Sequence, residues 1–205
     1  MFVGVAGIIG AGKSTLTGPL AKELGGEAFH EPVETNPYLE DFYKDMGRWG
    51  FTMQLWLLAR RFEQHQQVVW SGKTAVQDRT IYEDVVFARV LRADGYINKR
   101  DYENYESHFR LMLRYLMFPD VMLYLNVSPE LAMSRVKERA RGCEVAIPLE
   151  YLQKLHMEYA RLMQDMQGHT RVVHLEWDRP VPAKIVANIV RHEIANNPMP
   201  FARHL

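Results

Sequence analysis

Apolar positions along this chain fall into two alternating kinds of stretch. Short, mostly apolar runs occur at Phe2–Ala6, in a segment ending near His30 and Glu31, at 74–77, at 121–127 and at Arg171–Glu176. Compact runs of this kind, bounded by turn-forming residues, suit strands buried in a sheet. Between them lie longer stretches in which apolar residues recur every three or four positions: Lys13–Leu24, 37–46, 51–69, 81–93, 101–117, Pro129–Arg139, Leu149–Met166 and 183–194. That period belongs to helices that bury one face. Strands alternating with helices predict βαβ units, and so an α/β fold with a five-stranded parallel sheet flanked by helices. The helices at 51–69 and 101–117 are long enough either to pair with copies of themselves in a homodimer or to cover the sheet.

No repeat, low-complexity tract or Pro/Gly/Ser linker divides the 205 residues, so a single domain spanning 1–205 is expected. Hydrophobic residues make up 47%, which excludes a largely disordered chain. The 25 basic and 25 acidic residues cancel, so no global positive charge points to a nucleic-acid polymer. A single cysteine, Cys143, closes no internal disulfide and builds no cysteine zinc cluster, which fits a reducing, cytoplasmic compartment. No apolar run reaches the roughly 18 residues of a membrane-spanning helix. A signal peptide is not expected either, because cleavage after a leader would cut into the motif that begins at Gly7.

That motif is Gly7-Ile8-Ile9-Gly10-Ala11-Gly12-Lys13-Ser14, a GxxxxGKS phosphate loop placed after an apolar strand and opening a helix. Its glycines let backbone N–H groups converge on phosphate oxygens, and the helix N-terminus adds its positive dipole end. ATP is expected on Gly7, Gly10, Ala11, Gly12, Lys13, Ser14 and Thr15, with Lys13 between the β- and γ-phosphates and Ser14 on Mg²⁺. The loop alone identifies a nucleotide and not a reaction. Asn98-Lys99-Arg100-Asp101 matches the guanine-reading NKxD pattern of GTPases, but it follows a polar turn rather than a buried strand, and Asn98 reads more simply as a helix N-cap.

Three further stretches decide the class: His30-Glu31-Pro32-Val33-Glu34; then Asn36-Pro37-Tyr38-Leu39-Glu40-Asp41-Phe42-Tyr43-Lys44-Asp45; then Asp78-Arg79-Thr80-Ile81-Tyr82-Glu83-Asp84. Beyond them come Arg135, Lys137, Arg139 and Arg141, with Glu144 and Pro148. From the first strand to about Leu155 the chain resembles the deoxynucleoside kinase family, especially its bacterial-type deoxyadenosine, deoxyguanosine and deoxycytidine kinases. The resemblance implies a P-loop kinase fold with a short arginine-rich lid at about 135–147. It also implies ATP-dependent phosphorylation of a deoxynucleoside 5′-hydroxyl in nucleotide salvage.

A 5′-hydroxyl is a poor nucleophile, so a carboxylate beside the phosphate loop is needed to accept its proton. Glu31, at the carboxyl edge of the sheet, matches the family's catalytic glutamate. Asp78-Arg79-Thr80 replaces the usual Glu/Asp-Arg-Ser, with Thr80 keeping a hydroxyl. By resemblance Asp78 orients the Mg²⁺ site through its water shell, and Arg79 holds Glu31 and the 5′ oxygen in line. Arg135 and Arg139 share a helical face and, with Arg141, match lid arginines that close over the ATP phosphates. Cys143 lies within that lid.

Tyr43 and Glu144 match the pair that binds the sugar 3′-hydroxyl, and the Tyr43 ring would crowd a ribose 2′ position. Gln54 and Arg61 lie almost two helical turns apart and point the same way. Gln54 matches the glutamine that pairs with the base edge. Arg61 and Asp84 fall where base preference is set within the family; their donors and acceptors favour adenine, guanine or cytosine over thymine, whose methyl needs the room of Arg61. Phe87 arrives one residue early compared with several animal relatives and is not counted among the site residues. Two rivals remain: a thymidylate-like monophosphate kinase, against which Glu34 places negative charge where the acceptor phosphate should sit, and a non-catalytic ATP-binding P-loop module.

Overall fold

The structure, a computed structural model, describes residues 1–31, 35–139 and 147–198. Five parallel strands lie in the order β2-β3-β1-β4-β5: β1 Phe2–Ala6, β2 Glu27–Phe29, β3 Ala75–Asp78, β4 Val121–Asn126 and β5 Arg171–Glu176. β1, in the centre, is buried along its whole length, as a strand covered by helices on both faces must be. β2, at one edge, is mostly exposed and short.

The helices are α1 Lys13–Leu24, α2 Leu39–Lys44, α3 Met46–Trp70, α4 Asp84–Ala93, α5 Lys99–Leu113, α6 Pro129–Arg139, α7 Leu149–Met166 and α8 Ala183–Asn196. The helix expected at 81–93 begins with a 3₁₀ turn, Ile81–Glu83, closed by a capping box between Thr80 and Glu83. α3 starts five residues before the expected 51. Asp45 is extended and its side chain accepts a hydrogen bond from the Arg48 N–H at 2.9 Å, which starts the helix despite Gly47 and Gly50. Gly50 is buried there, facing Ile97 and Leu91. Asn98 caps α5 by accepting from the Asp101 N–H at 3.0 Å, so the NKxD match is a helix start.

Parallel strands raise all their carboxyl ends on one edge, where ligands of such sheets bind. Val5 pairs with Asp78, the last residue of β3, and Ala6 with Tyr124, so β1 ends beside the end of β3 while β4 runs two residues further. No helix among the described residues is long and apolar enough to cross a membrane.

Candidate active site

From the end of β1 the chain turns into α1 through left-handed backbone at Gly10 (φ 83°) and Gly12 (φ 94°). A Cβ on Gly10 would press into the Ala132 carbonyl and sit 2.9 Å from the Val136 Cγ2, so the tip of the loop is fitted against α6. Gly12 caps α1 without a side-chain hydrogen bond, which leaves the first-turn N–H groups to an anion. Ala11 is buried beneath, its N–H bonded to the Ile8 carbonyl at 3.2 Å.

Lys13 is buried and donates to the Gly7 and Ile8 carbonyls at 2.9 and 3.0 Å. Burial, reinforced by the nearby Arg79 cation, lowers its pKa to about 8. Ser14 Oγ donates to Asp78 Oδ2 at 2.5 Å, joining the helix start to the end of β3. Asp78 is buried, and its Oδ1 has no hydrogen-bond partner among the described residues.

Glu31 lies two residues beyond β2, with 16% of its side chain exposed. Its Oε1 accepts from Arg61 Nη2, and its Oε2 accepts from Arg79 Nε at 3.1 Å. Burial alone would raise its pKa, but Arg79, Arg61 and Lys13 outweigh that and hold it far below the usual carboxylate range. Gln64, on α3, donates to the His30 carbonyl at 2.8 Å and accepts from Gln77 at 2.8 Å, which pins the peptide just ahead of Glu31.

Arg79 is in left-handed backbone, φ 62°, with its N–H on the Val5 carbonyl at 3.1 Å. For a non-glycine residue this costs on the order of 1–3 kcal/mol and requires support. The guanidinium carbon stands 4.6 Å from the Phe87 ring centroid, and Nη1 donates to the Tyr159 hydroxyl. Arg61, 1% exposed, pairs with both Glu31 and the fully buried Asp84. The sequence joined Arg61 to Asp84; the structure adds Glu31 as a shared partner.

A cavity of about 430 Å³ opens over these groups. Gly10, Lys13, Ser14, Glu31, Tyr43, Gln54, Arg61, Arg79 and Arg139 line it, all of them expected from the sequence. Gln54 is buried, and its Oε1 has no hydrogen-bond partner among the described residues. Phe87, left out of the sequence assignment, also lines the cavity. Its position one turn after Asp84 on α4 was the available signal. Tyr151 is a further wall residue, and Glu83, Tyr159, Gln64 and Gln77 support the site from behind.

Arg135 does not line this cavity. Its guanidinium donates to the Ala11, Trp177 and Asp178 carbonyls at 3.3, 3.1 and 3.2 Å. It borders a second depression of about 260 Å³, with Gly12, Thr15, Trp177 and Pro180. Arg135 and Arg139, one turn apart, thus serve different cavities. Glu34, Arg141, Cys143 and Glu144 lie outside the described residues.

The comparisons agree with this geometry. Residues 3–196 match the family model described as deoxynucleoside kinase. The chain is 41% identical over 191 residues to a deoxyadenosine kinase of Dictyostelium discoideum, covering 93% of this chain and 78% of that protein. It is 42% identical over 158 residues to a deoxyadenosine/deoxycytidine kinase of Bacillus subtilis, covering 76% and 73%. Among solved structures, deoxyadenosine kinase from M. mycoides with bound dCTP superposes with a TM-score of 0.84 at 31% identity, covering 94% of this chain and 100% of that one. A family model that matches nearly the whole chain, together with relatives at 41% and 42% identity, shows that the chain belongs to the deoxynucleoside kinase family.

Proposed function

We propose that this kinase transfers the γ-phosphate of ATP to the 5′-hydroxyl of deoxyadenosine, deoxyguanosine or deoxycytidine in preference to thymidine. The observation that carries this reading is Arg61, buried in the cavity wall between Asp84 and Glu31. It offers donors to ring acceptors where a thymine methyl would need space. The names of the relatives, deoxyadenosine and deoxyadenosine/deoxycytidine kinases, support the same choice.

Gln54 reads the base edge and Tyr43 the sugar, each from the cavity wall. Glu144 is proposed to share the sugar 3′-hydroxyl with Tyr43, and Arg141 to join Arg139 and Arg135 around ATP. Gly7, Gly10, Ala11, Gly12, Lys13, Ser14 and Thr15 cradle the phosphates. Glu31 is ionised and acidic, which makes it a weak base in the ground state. Its role is therefore to orient the hydroxyl by accepting its hydrogen bond, and to take the proton late, once bonding to phosphorus has made that hydroxyl acidic. Arg79 lines the same cavity and offers charge to the phosphoryl group in transfer. Mg²⁺ fits Ser14 and Asp78, because both offer hard oxygen donors and Asp78 Oδ1 is otherwise unpartnered among the described residues. Bound with ATP, it neutralises charge on the β- and γ-phosphate oxygens.

A homodimer through α3 and α5 belongs to the same proposal. Phe51, Leu55 and Phe62 of α3 are only partly buried, and Leu111 of α5 is 53% exposed. The single cysteine favours a reducing, cytoplasmic setting. The test is an acceptor panel with ATP and Mg²⁺. The three favoured deoxynucleosides should outperform thymidine. Thymidine as best acceptor would overturn the base assignment, and turnover with monophosphates alone would overturn the nucleoside acceptor.

A further inference from the structure

Tyr159 is a buried α7 residue that does not line the cavity, yet its hydroxyl is bonded to the arginine that holds Glu31. It accepts from Arg79 Nη1 and donates to Glu83 Oε2 at 2.8 Å. Glu83 is itself fixed at its other oxygen, which accepts from the Thr80 N–H at 2.7 Å. A tyrosine hydroxyl has one proton, and Glu83, an acceptor when ionised, takes it. The lone pairs of Tyr159 are thereby turned toward Arg79. The ring is also fixed, near-parallel to Tyr124 with centroids 6.0 Å apart and edge-on to Phe87 at 6.3 Å.

Arg79 needs such a hold. Its backbone is left-handed, and the Phe87 ring supports one face of its guanidinium without fixing rotation in the guanidinium plane. Hydrogen bonds to Glu31 at Nε and to Tyr159 at Nη1 fix that rotation, with Glu83 Oε2 as a buried counter-charge 3.8 Å from the same Nη1. Of these groups Glu31 lines the cavity and Tyr159 and Glu83 do not, so the Tyr159–Glu83 side of the hold is out of reach of a bound acceptor.

We propose that Tyr159 and Glu83 form a relay that positions Arg79, and through Arg79 the Glu31 carboxylate, for phosphoryl transfer. The proposal rests on the reading of Glu31 and Arg79 given above. Tyr159 is a positioning residue: it touches no substrate, and its removal disturbs alignment rather than affinity.

The experiment compares Tyr159→Phe, Glu83→Gln, their double variant and Glu31→Gln with the parent, measuring kcat, both KM values and thermal midpoints. Tyr159→Phe should lower kcat about tenfold or more while both KM values stay within about threefold. Glu83→Gln replaces an acceptor facing the hydroxyl by a donor and should lower kcat in the same direction. The double variant should lose less than the two single losses multiplied together, because Tyr159 and Glu83 share one link to Arg79 even though Glu83 also faces Arg79 directly. A folded Tyr159→Phe with kcat within about twofold of the parent, or a loss confined to KM, overturns the proposal. If Tyr159→Phe does not fold, an unchanged kcat in Glu83→Gln overturns it instead. Glu31→Gln separates the two failures. Should it keep full kcat, the assignment of Glu31 falls; should it lose kcat while the relay variants do not, the relay alone falls.

Discussion

Replacing Asp84 with alanine leaves Arg61 inside the protein with one carboxylate instead of two. Arg61 is 1% exposed and Asp84 fully buried, so water does not replace the lost partner. Breaking a buried pair by removing one member costs about 3–5 kcal/mol. Glu31 remains as a partially exposed counter-charge, so the lower half of that range is expected. At about 2–4 °C per kcal/mol for a domain of this size, the thermal midpoint should fall by roughly 6–16 °C. Arg61→Met with Asp84→Ala removes both charges and keeps most of the apolar stem volume, so it should recover at least half of that loss. The same double variant opens space for a methyl group beside Gln54. Its ratio of thymidine to deoxyadenosine kcat/KM should rise by about tenfold, equivalent to about 1.4 kcal/mol of discrimination. Calorimetry or a dye-based melt reads the first quantity and steady-state kinetics the second. A double variant no more stable than Asp84→Ala would refute the charge argument, and an unchanged ratio would remove the pair from selectivity.

Three other perturbations reach different parts of the structure. Burial pulls His65 down to about 4, so the unfolded chain binds its proton first as pH falls below 6.5; stability on the order of 3 kcal/mol present at neutral pH should drain away toward pH 4. Urea midpoints at pH 7 and 4.5 should therefore differ more for the parent than for His65→Phe, and equal differences would refute this. Lys13, at about 8 in the free protein, should be largely neutral at pH 8.5 and take up a proton when the ATP tetra-anion binds. Titration calorimetry in two buffers of different ionisation enthalpy reads that uptake, and no buffer dependence would count against it. Gly10→Ala forces left-handed backbone on a residue with a Cβ and drives that atom into the Ala132 carbonyl; ATP affinity should fall at least about tenfold, and an unchanged Kd would contradict the fit of loop to α6.

Local pattern made much of this legible. β1, α1, α6, α7 and β5 have the bounds their periodicity predicted, and the phosphate loop stands between β1 and α1 as its spacing required. The boundary between α2 and α3 differs from the expected one because the Asp45 side chain caps α3 ahead of Gly47 and Gly50 and outweighs their low helix propensity. Glu31 and Arg79 were found because they stand in stretches that resemble motifs of the deoxynucleoside kinase family, and Gln54 and Arg61 because they match positions in that family. Glu83–Tyr159 and Gln64–Gln77 were not, because a buried tyrosine or glutamine carries no mark of which distant residue it meets. Arg135 shows the converse. Its periodicity placed it beside Arg139, but only the tertiary structure could bring the Trp177 and Asp178 carbonyls to its guanidinium.

The pairing of Val5 with Asp78, and of the Arg79 N–H with the Val5 carbonyl, bears on where this chain can change length. A strand advances about 3.3 Å per residue and reverses the side of its side chains at each step. One residue inserted within Ala75–Asp78 would carry Arg79 past the end of β1 and turn it away from Glu31. The exposed turn just before β3, at Gly72 and Lys73, is under no such constraint: nothing lies within 4 Å of a side chain added at Gly72. Length variation should accordingly collect at that turn and be absent from Ala75–Asp78, so that the ladder works as a ruler measured from the phosphate loop.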